Sequence, residues 1–96
     1  MRKNVERGIS AFFNLENFSE GSVSVKRNFL KVTIYSYQTP IAIFDNETKE
    51  VFLNDEKFST TTSHLQNSIK NEISKYYPAN LKLVSQEELN EIAERA

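Results

Sequence analysis

Cysteine is absent from this chain, which removes a disulfide framework and any thiolate metal site and leaves a fold suited to a reducing compartment. The single histidine, His64, excludes a two-histidine metal centre and a zinc finger. Glycine is nearly as scarce: Gly8 and Gly21 alone cannot build a phosphate-cradling loop or a dinucleotide fingerprint. No run approaches the roughly 18 apolar residues of a membrane span. The opening Met1-Arg2-Lys3-Asn4 leads into an amphipathic segment rather than a signal-peptide apolar stretch. No sign of charge dominates either, since 12 basic and 13 acidic groups give a formal net charge of −1. That balance supplies no general pull toward nucleic acid or anionic lipid. These absences predict a cytoplasmic protein with no membrane association and no cofactor.

What the chain does have is rings. Seven Phe and four Tyr, without Trp, can fill a modest core around aromatic side chains. Ninety-six residues suffice for one such core and not for two, so residues 1–96 are read as a single domain. Charge alternates in blocks along it. Residues 1–39, 40–59, 60–84 and 85–96 carry net +3, −3, +2 and −3, imbalances of a size that a well-mixed surface ordinarily shows.

Val5, Ile9, Phe12 and Phe13 recur at i, i+4, i+7 and i+8, predicting an amphipathic helix that ends near Leu15 to Phe18. Gly21 punctuates, and Ser22-Val23-Ser24-Val25 alternates as a strand does. Lys26-Arg27-Asn28 reads as a turn before the β-branched and aromatic run of residues 29–37, the clearest strand. Its two faces hold Leu30, Val32 and Ile34 on one side and Phe29, Lys31, Thr33, Tyr35 and Tyr37 on the other. After Thr39-Pro40, residues 41–44 and 50–53 read as strands joined by a turn at Asp45-Asn46-Glu47-Thr48. Asn54-Asp55-Glu56-Lys57 connects to a hydroxyl-rich stretch, residues 59–63, able to cap the next helix. That helix lays Leu65, Ile69, Ile73 and Tyr76 or Tyr77 on the sheet until Pro78 stops it. Residues 81–84 suit a further short strand. Ser85-Gln86-Glu87-Glu88 has capping-box spacing before a last helix striped by Leu89, Ile92 and Ala93. The expected fold is α+β: a three- to four-stranded antiparallel meander packed by a central helix, with flanking N- and C-terminal helices.

Catalytic chemistry finds little support. Ser63 beside His64 is no nucleophile–base pair, because neighbours on a helix point about 100° apart. The acids Asp45, Glu47 and Glu50, or Asp55 and Glu56, lack the glycine and distal acid of a calcium loop and are explained as turn residues. No metal site, cofactor or enzymatic activity is expected. Thr61, Thr62, Ser63 and His64 at a helix start form a candidate anion site, although ordinary capping explains such a run. Gln66, Asn67, Lys70, Asn71 and Ser74 fall away from the apolar stripe and, with Tyr35 and Tyr37, make two candidate contact surfaces.

Several of these residues carry a resemblance: Gly21-Ser22-Val23-Ser24-Val25, Leu30, Tyr35-Ser36-Tyr37-Gln38-Thr39-Pro40-Ile41-Ala42, and Phe58-Ser59-Thr60-Thr61-Thr62-Ser63-His64. Over residues 20–70 the chain resembles a small domain of bacteriophage and other mobile-element proteins. Those proteins show a Tyr-x-Thr-Pro-Ile-Ala core and a Ser-x-Thr-Thr-Ser-x-His helix start. Here His64 directly follows Ser63, and Leu65 precedes Gln66-Asn67, a departure from that pattern. The resemblance implies a setting in a bacterial host, in which small proteins without catalytic motifs bind and redirect a host macromolecule. The expectation is therefore a non-enzymatic accessory protein that modulates a host protein or ribonucleoprotein, with a CRISPR-type defence effector as one such target. Two alternatives are a nucleic-acid-binding module using Arg2, Lys3, Arg7, Lys26, Arg27, Lys31 and Lys70 with stacking tyrosines, and a structural homodimer closed through the spare sheet face.

Overall fold

Val5, Ile9, Phe12 and Phe13 line one side of the first helix, α1 (Lys3–Phe13), and all four are buried. The structure is a computed structural model that describes residues 3–54, 56, 60–76 and 80–95. Arg2, Asp55, Lys57, Phe58, Ser59, Tyr77 and Pro78 lie outside the described residues, as do the side chains of Thr61, Ile73, Ser74 and Tyr76. The helix closes where Glu16 N donates to Ala11 O at 2.9 Å, an i→i−5 bond. Leu15 sits between them at φ 60°, the left-handed position a Schellman ending usually gives to glycine.

Five strands then pair in order and antiparallel: β1 (Phe18–Glu20), β2 (Val23–Asn28), β3 (Lys31–Ser36), β4 (Thr39–Asp45) and β5 (Glu50–Asn54). Helix α2 (Thr60–Tyr76) crosses over and returns the chain as β6 (Asn80–Val84), parallel to β5, before α3 (Gln86–Arg95). The α+β class and the flanking helices stand, but the three- to four-stranded meander is corrected to a mixed six-stranded sheet. The physical reasons are local. Phe18–Glu20 is too short to show a period-two pattern, and a strand that follows a crossover helix beside its predecessor must run parallel to it.

The hairpin turns also move. Residues 26–28 extend β2 instead of turning, and Asn28 pairs with Lys31, leaving Phe29-Leu30 as the two-residue loop. Ser36 pairs with Thr39 around Tyr37-Gln38 in the same way. Phe29 has φ 59° and Tyr37 φ 57°, while Gly21 opens the β1–β2 turn at φ 61°. A positive φ at the first loop position is the type II′ pattern, in which glycine is the usual occupant. Phe-Leu and Tyr-Gln carry no turn signature, so they read as strand. Pro40 is tolerated within β4 because the register slips there. Ile34 pairs with Ala42 and Tyr35 with Pro40, leaving Ile41 as a bulge residue.

The sheet has two unequal sides. On the first, α1 and α2 cover Val23, Val25, Val32, Ile34, Ile41, Ala42, Phe44, Val51 and Leu53 together with Leu65 and Ile69 of α2. Phe12, Phe13 and Phe44 meet there with ring centroids 5.1 to 6.2 Å apart. Each fully buried ring or aliphatic side chain contributes about 1.5–3 kcal/mol. On the second side, α3 packs on β4 and β5, and Ile43 of β4 and Leu89 of α3 are both fully buried outside the first cluster. Ser85 Oγ accepts Glu88 N at 3.1 Å, the capping contact expected from Ser-x-x-Glu. Among the described residues no helix is long and apolar enough to cross a membrane.

Candidate functional site

The β2–β3 tip is built by a residue type that folding alone does not favour there. Phe29 occupies the left-handed loop position with its side chain 84 % exposed, and Leu30 beside it is 38 % exposed. A bulky residue at positive φ costs about 1 kcal/mol or more, and an exposed ring regains none of it by burial. Yet the tip is firmly held. Arg27 N donates to Asn17 Oδ1 at 2.9 Å, Arg27 Nε to Phe29 O at 3.1 Å, and Arg27 Nη1 to Leu15 O at 3.4 Å. Asn46 N, from the β4–β5 loop, closes on Leu30 O at 2.9 Å. Asn17, Arg27, Phe29 and Leu30 line an open pocket of about 270 Å³. The guanidinium thus serves two carbonyl oxygens, and among the described residues no carboxylate pairs with it. Sequence pattern does not reveal this site, because residues 29–37 read as one continuous strand. The one usable signal was that Asn28 precedes them, a residue common beside turns.

At the opposite end of β3, Tyr37 is 69 % exposed, and its N–H donates to Ser22 O at 2.7 Å. Tyr35 is half-buried on the α3 side of the sheet, where Lys26 Nζ stands 5.6 Å above its ring. Asn67 and Asn71 are exposed and Lys70 is half-buried on α2, which lies on the other side of the sheet. The two candidate surfaces are therefore back to back and do not form one site.

Gln66 is corrected outright. It is buried, and its Nε2 donates to Asn54 O at 2.6 Å and Glu56 O at 3.1 Å. Leu65 and Ile69 place one stripe of α2 in the core, and Gln66, the neighbour of Leu65, is drawn into the seam beside β5. The seam is a polar network. Asn54 Oδ1 accepts Glu56 N at 2.7 Å, Asn54 Nδ2 donates to Gln86 Oε1, and Gln86 Nε2 donates to Pro40 O at 3.1 Å. The buried amides of Asn54 and Gln66 and the half-buried one of Gln86 are thus satisfied within the seam, which is a structural duty and leaves Gln66 no contact surface.

The candidate anion site is not assembled as one unit. Thr62 is buried with its Oγ1 2.9 Å from Ser36 Oγ, Ser63 is half-buried and His64 is exposed. Among the described residues no three His, Cys, Asp or Glu side chains gather as a metal site would require.

With this geometry established, comparison with known proteins gives a family model that matches residues 7–90. The chain belongs to DUF8033, a family of unknown function. The matched span runs from within α1 into the first half of α3 and so takes in all six strands and α2. No curated protein and no solved structure matches the chain.

Proposed function

We propose that this domain is a non-enzymatic binding protein, carried by a phage or mobile element, that engages a host protein through the β2–β3 tip and modulates it. A defence complex of the CRISPR type is the class of target this reading favours. The observation that carries it is Phe29, an exposed ring held in a left-handed turn position where glycine would be easier and nothing is gained by burial. Exposed aromatics and arginine on a rigid support are the side chains that dominate protein interfaces. The partner surface that fits is an apolar socket for Phe29 and Leu30 with an acidic rim for Arg27. Charge placement supports protein over nucleic acid. Among the described residues Lys3, Arg7 and Lys70 belong to helices on one side of the sheet, where Arg7 is paired with Glu20, while Lys26 and Lys31 sit on the other, so these cations form no continuous basic track.

Phe29→Gly tests this without harming the fold, since glycine suits the φ of 59° and little buried area is lost. Thermal unfolding of the variant should match or exceed that of the parent. Pull-down from bacterial lysate after nuclease treatment, followed by titration of the recovered protein, should show at least tenfold weaker binding by the variant. Equal binding by both proteins would discard the tip as the contact, and capture that disappears with nuclease would discard a protein partner.

A further inference from the structure

We propose that two copies of this chain join at β6, pairing these outer strands antiparallel about Lys82 so that the two sheets become one continuous sheet. The inference is independent of the Phe29 tip. β6 stands at one end of the strand order, and no residue of it is buried, so its edge is accessible. The direction of its open backbone groups follows from one bond. Asn80 N donates to Lys49 O at 3.1 Å, so Asn80 points its N–H and C=O toward β5. Backbone groups alternate sides along a strand, so Lys82 and Val84 also bond inward, whereas Leu81 and Leu83 turn theirs to the outer edge. Among the described residues nothing bonds to these outward groups.

That pattern is self-complementary. An antiparallel neighbour must oppose Leu81 and Leu83 with residues whose own N–H and C=O point outward. A second β6 does so when Lys82 faces Lys82 across a two-fold axis perpendicular to the sheet. Leu81 of each copy then opposes Leu83 of the other, and every outward group of the leucines is bonded. Sliding by one residue sets outward groups against inward ones, and sliding by two leaves one leucine of each copy facing chain beyond the strand. The side chains favour the same register. Leu81 and Leu83 lie beside Val51 and Leu53 on the α1 and α2 side, yet are 37 % and 53 % exposed where their neighbours are fully buried. In the pair each Leu81 packs beside Leu83 of the other copy, and an apolar row runs from one core into the next. On the opposite side the two Lys82 ammonium groups meet, a contact that opposes association between bare charges. Each, however, is already bound to Glu50 of its own β5. A lysine ordinarily blunts an edge strand, and the Glu50 pair removes that defence. The other edge, β1, spans three residues and carries no comparable apolar row. One strand pair and its leucines make an interface at the low end of size, so the dimer is weak and concentration-dependent.

Sedimentation equilibrium of the whole chain should show monomer and dimer in exchange, with dimer present at about 0.5 mM chain. Leu83→Pro removes an outward N–H that no bond within the chain uses, and an edge strand tolerates proline so placed. It should associate at least tenfold more weakly, with an unchanged far-UV spectrum. The register has its own test because the chain contains no cysteine. The facing Lys82 residues form a non-hydrogen-bonded pair with Cα atoms about 4.5 Å apart, within reach of a disulfide. Lys82→Cys should therefore cross-link between copies under mild oxidation at least tenfold faster than Asn80→Cys, whose two copies lie well out of register. A wild type that is monomeric at that concentration would overturn the proposal and leave the edge to a strand of a different protein. Undiminished association of Leu83→Pro, or equal cross-linking at the two positions, would also overturn it. The cysteine comparison stands even if the proline variant fails to fold.

Discussion

Two glycines serve a chain that needs at least five left-handed backbone positions, and the shortfall is met by Leu15, Phe29, Tyr37 and Lys49 at φ between 57° and 60°. Leu15 offsets the cost by packing against the core, and Lys49 by bonding Asn46 Oδ1 at 2.6 Å while its amino group stands 6.0 Å above the Phe44 ring. The Phe29 and Tyr37 side chains, 84 % and 69 % exposed, make no such contact among the described residues. Gly8 is the converse case. It lies in mid-helix, where alanine is ordinarily better by about 1 kcal/mol, but a Cβ there would approach Val23 Cγ1 to 2.5 Å. Val23 belongs to the core and cannot retreat. Gly8→Ala should therefore destabilise by about 1–3 kcal/mol, measured by urea unfolding, and Val23→Ala in the same chain should relieve part of the loss. An equal or higher stability for Gly8→Ala would show that α1 is free to shift on β2. Sequence reading placed Gly8 inside the helix correctly. It could not reveal why glycine stands there, because the contact is made with a residue on another element.

At the scale of elements, the junction of β5 with β6 is the least local pairing in the sheet. It is fastened by an ion pair between Lys82 and Glu50 on adjacent strands. Hydrogen bonding from Lys82, and then from Thr48, holds the Glu50 carboxyl below its ordinary value of 4.5. Because the folded state favours the ionised form, this contribution is fully present above the unfolded pKa and is lost as pH falls through the folded one. Stability should decline with acidification below about pH 4.5, with amide exchange in β6 rising first. Glu50→Gln should remove that part of the pH dependence. An unchanged acid limb in the variant would place the titration elsewhere. The periodic elements were legible: α1, the body of β3 and the start of α3 follow their apolar spacing. The parallel return of β6 was not, because whether a strand pairs with its predecessor or folds away depends on where α2 docks.

The whole molecule hangs on one sheet with a large core on the α1 and α2 side and a small one under α3. Ile43 and Leu89 are each fully buried in that smaller core. The polar seam from Pro40 through Gln86 and Asn54 to Gln66 links both sides at the edge. If the two cores unfold as one unit, Leu89→Ala should lower global stability by about 2–5 kcal/mol. Unfolding should then still be a single transition, coincident by far-UV and aromatic probes. A separate early transition confined to α3 would show instead that the helix is an appendage. The seam also shows why polarity misleads the reading of α2: a glutamine beside the apolar stripe looks exposed on a helical wheel, but is buried here with its amide on the Asn54 and Glu56 carbonyls.

From the sequence alone came the α+β class, a main core of rings and aliphatics, the amphipathic helices and the Ser-x-x-Glu start of α3. Each of these is set by local spacing and by the gain from burying one face. The tertiary structure decided which faces stay open. Sheet register pushed Phe29 and Tyr37 out to hairpin tips, crossover placed β6 at an edge, and α3 docked on β4 and β5 while Lys26 on the same side of β2 stayed exposed. These are outcomes of long-range pairing, in which the free energy of the assembled sheet outweighs the turn and strand preferences of a few residues.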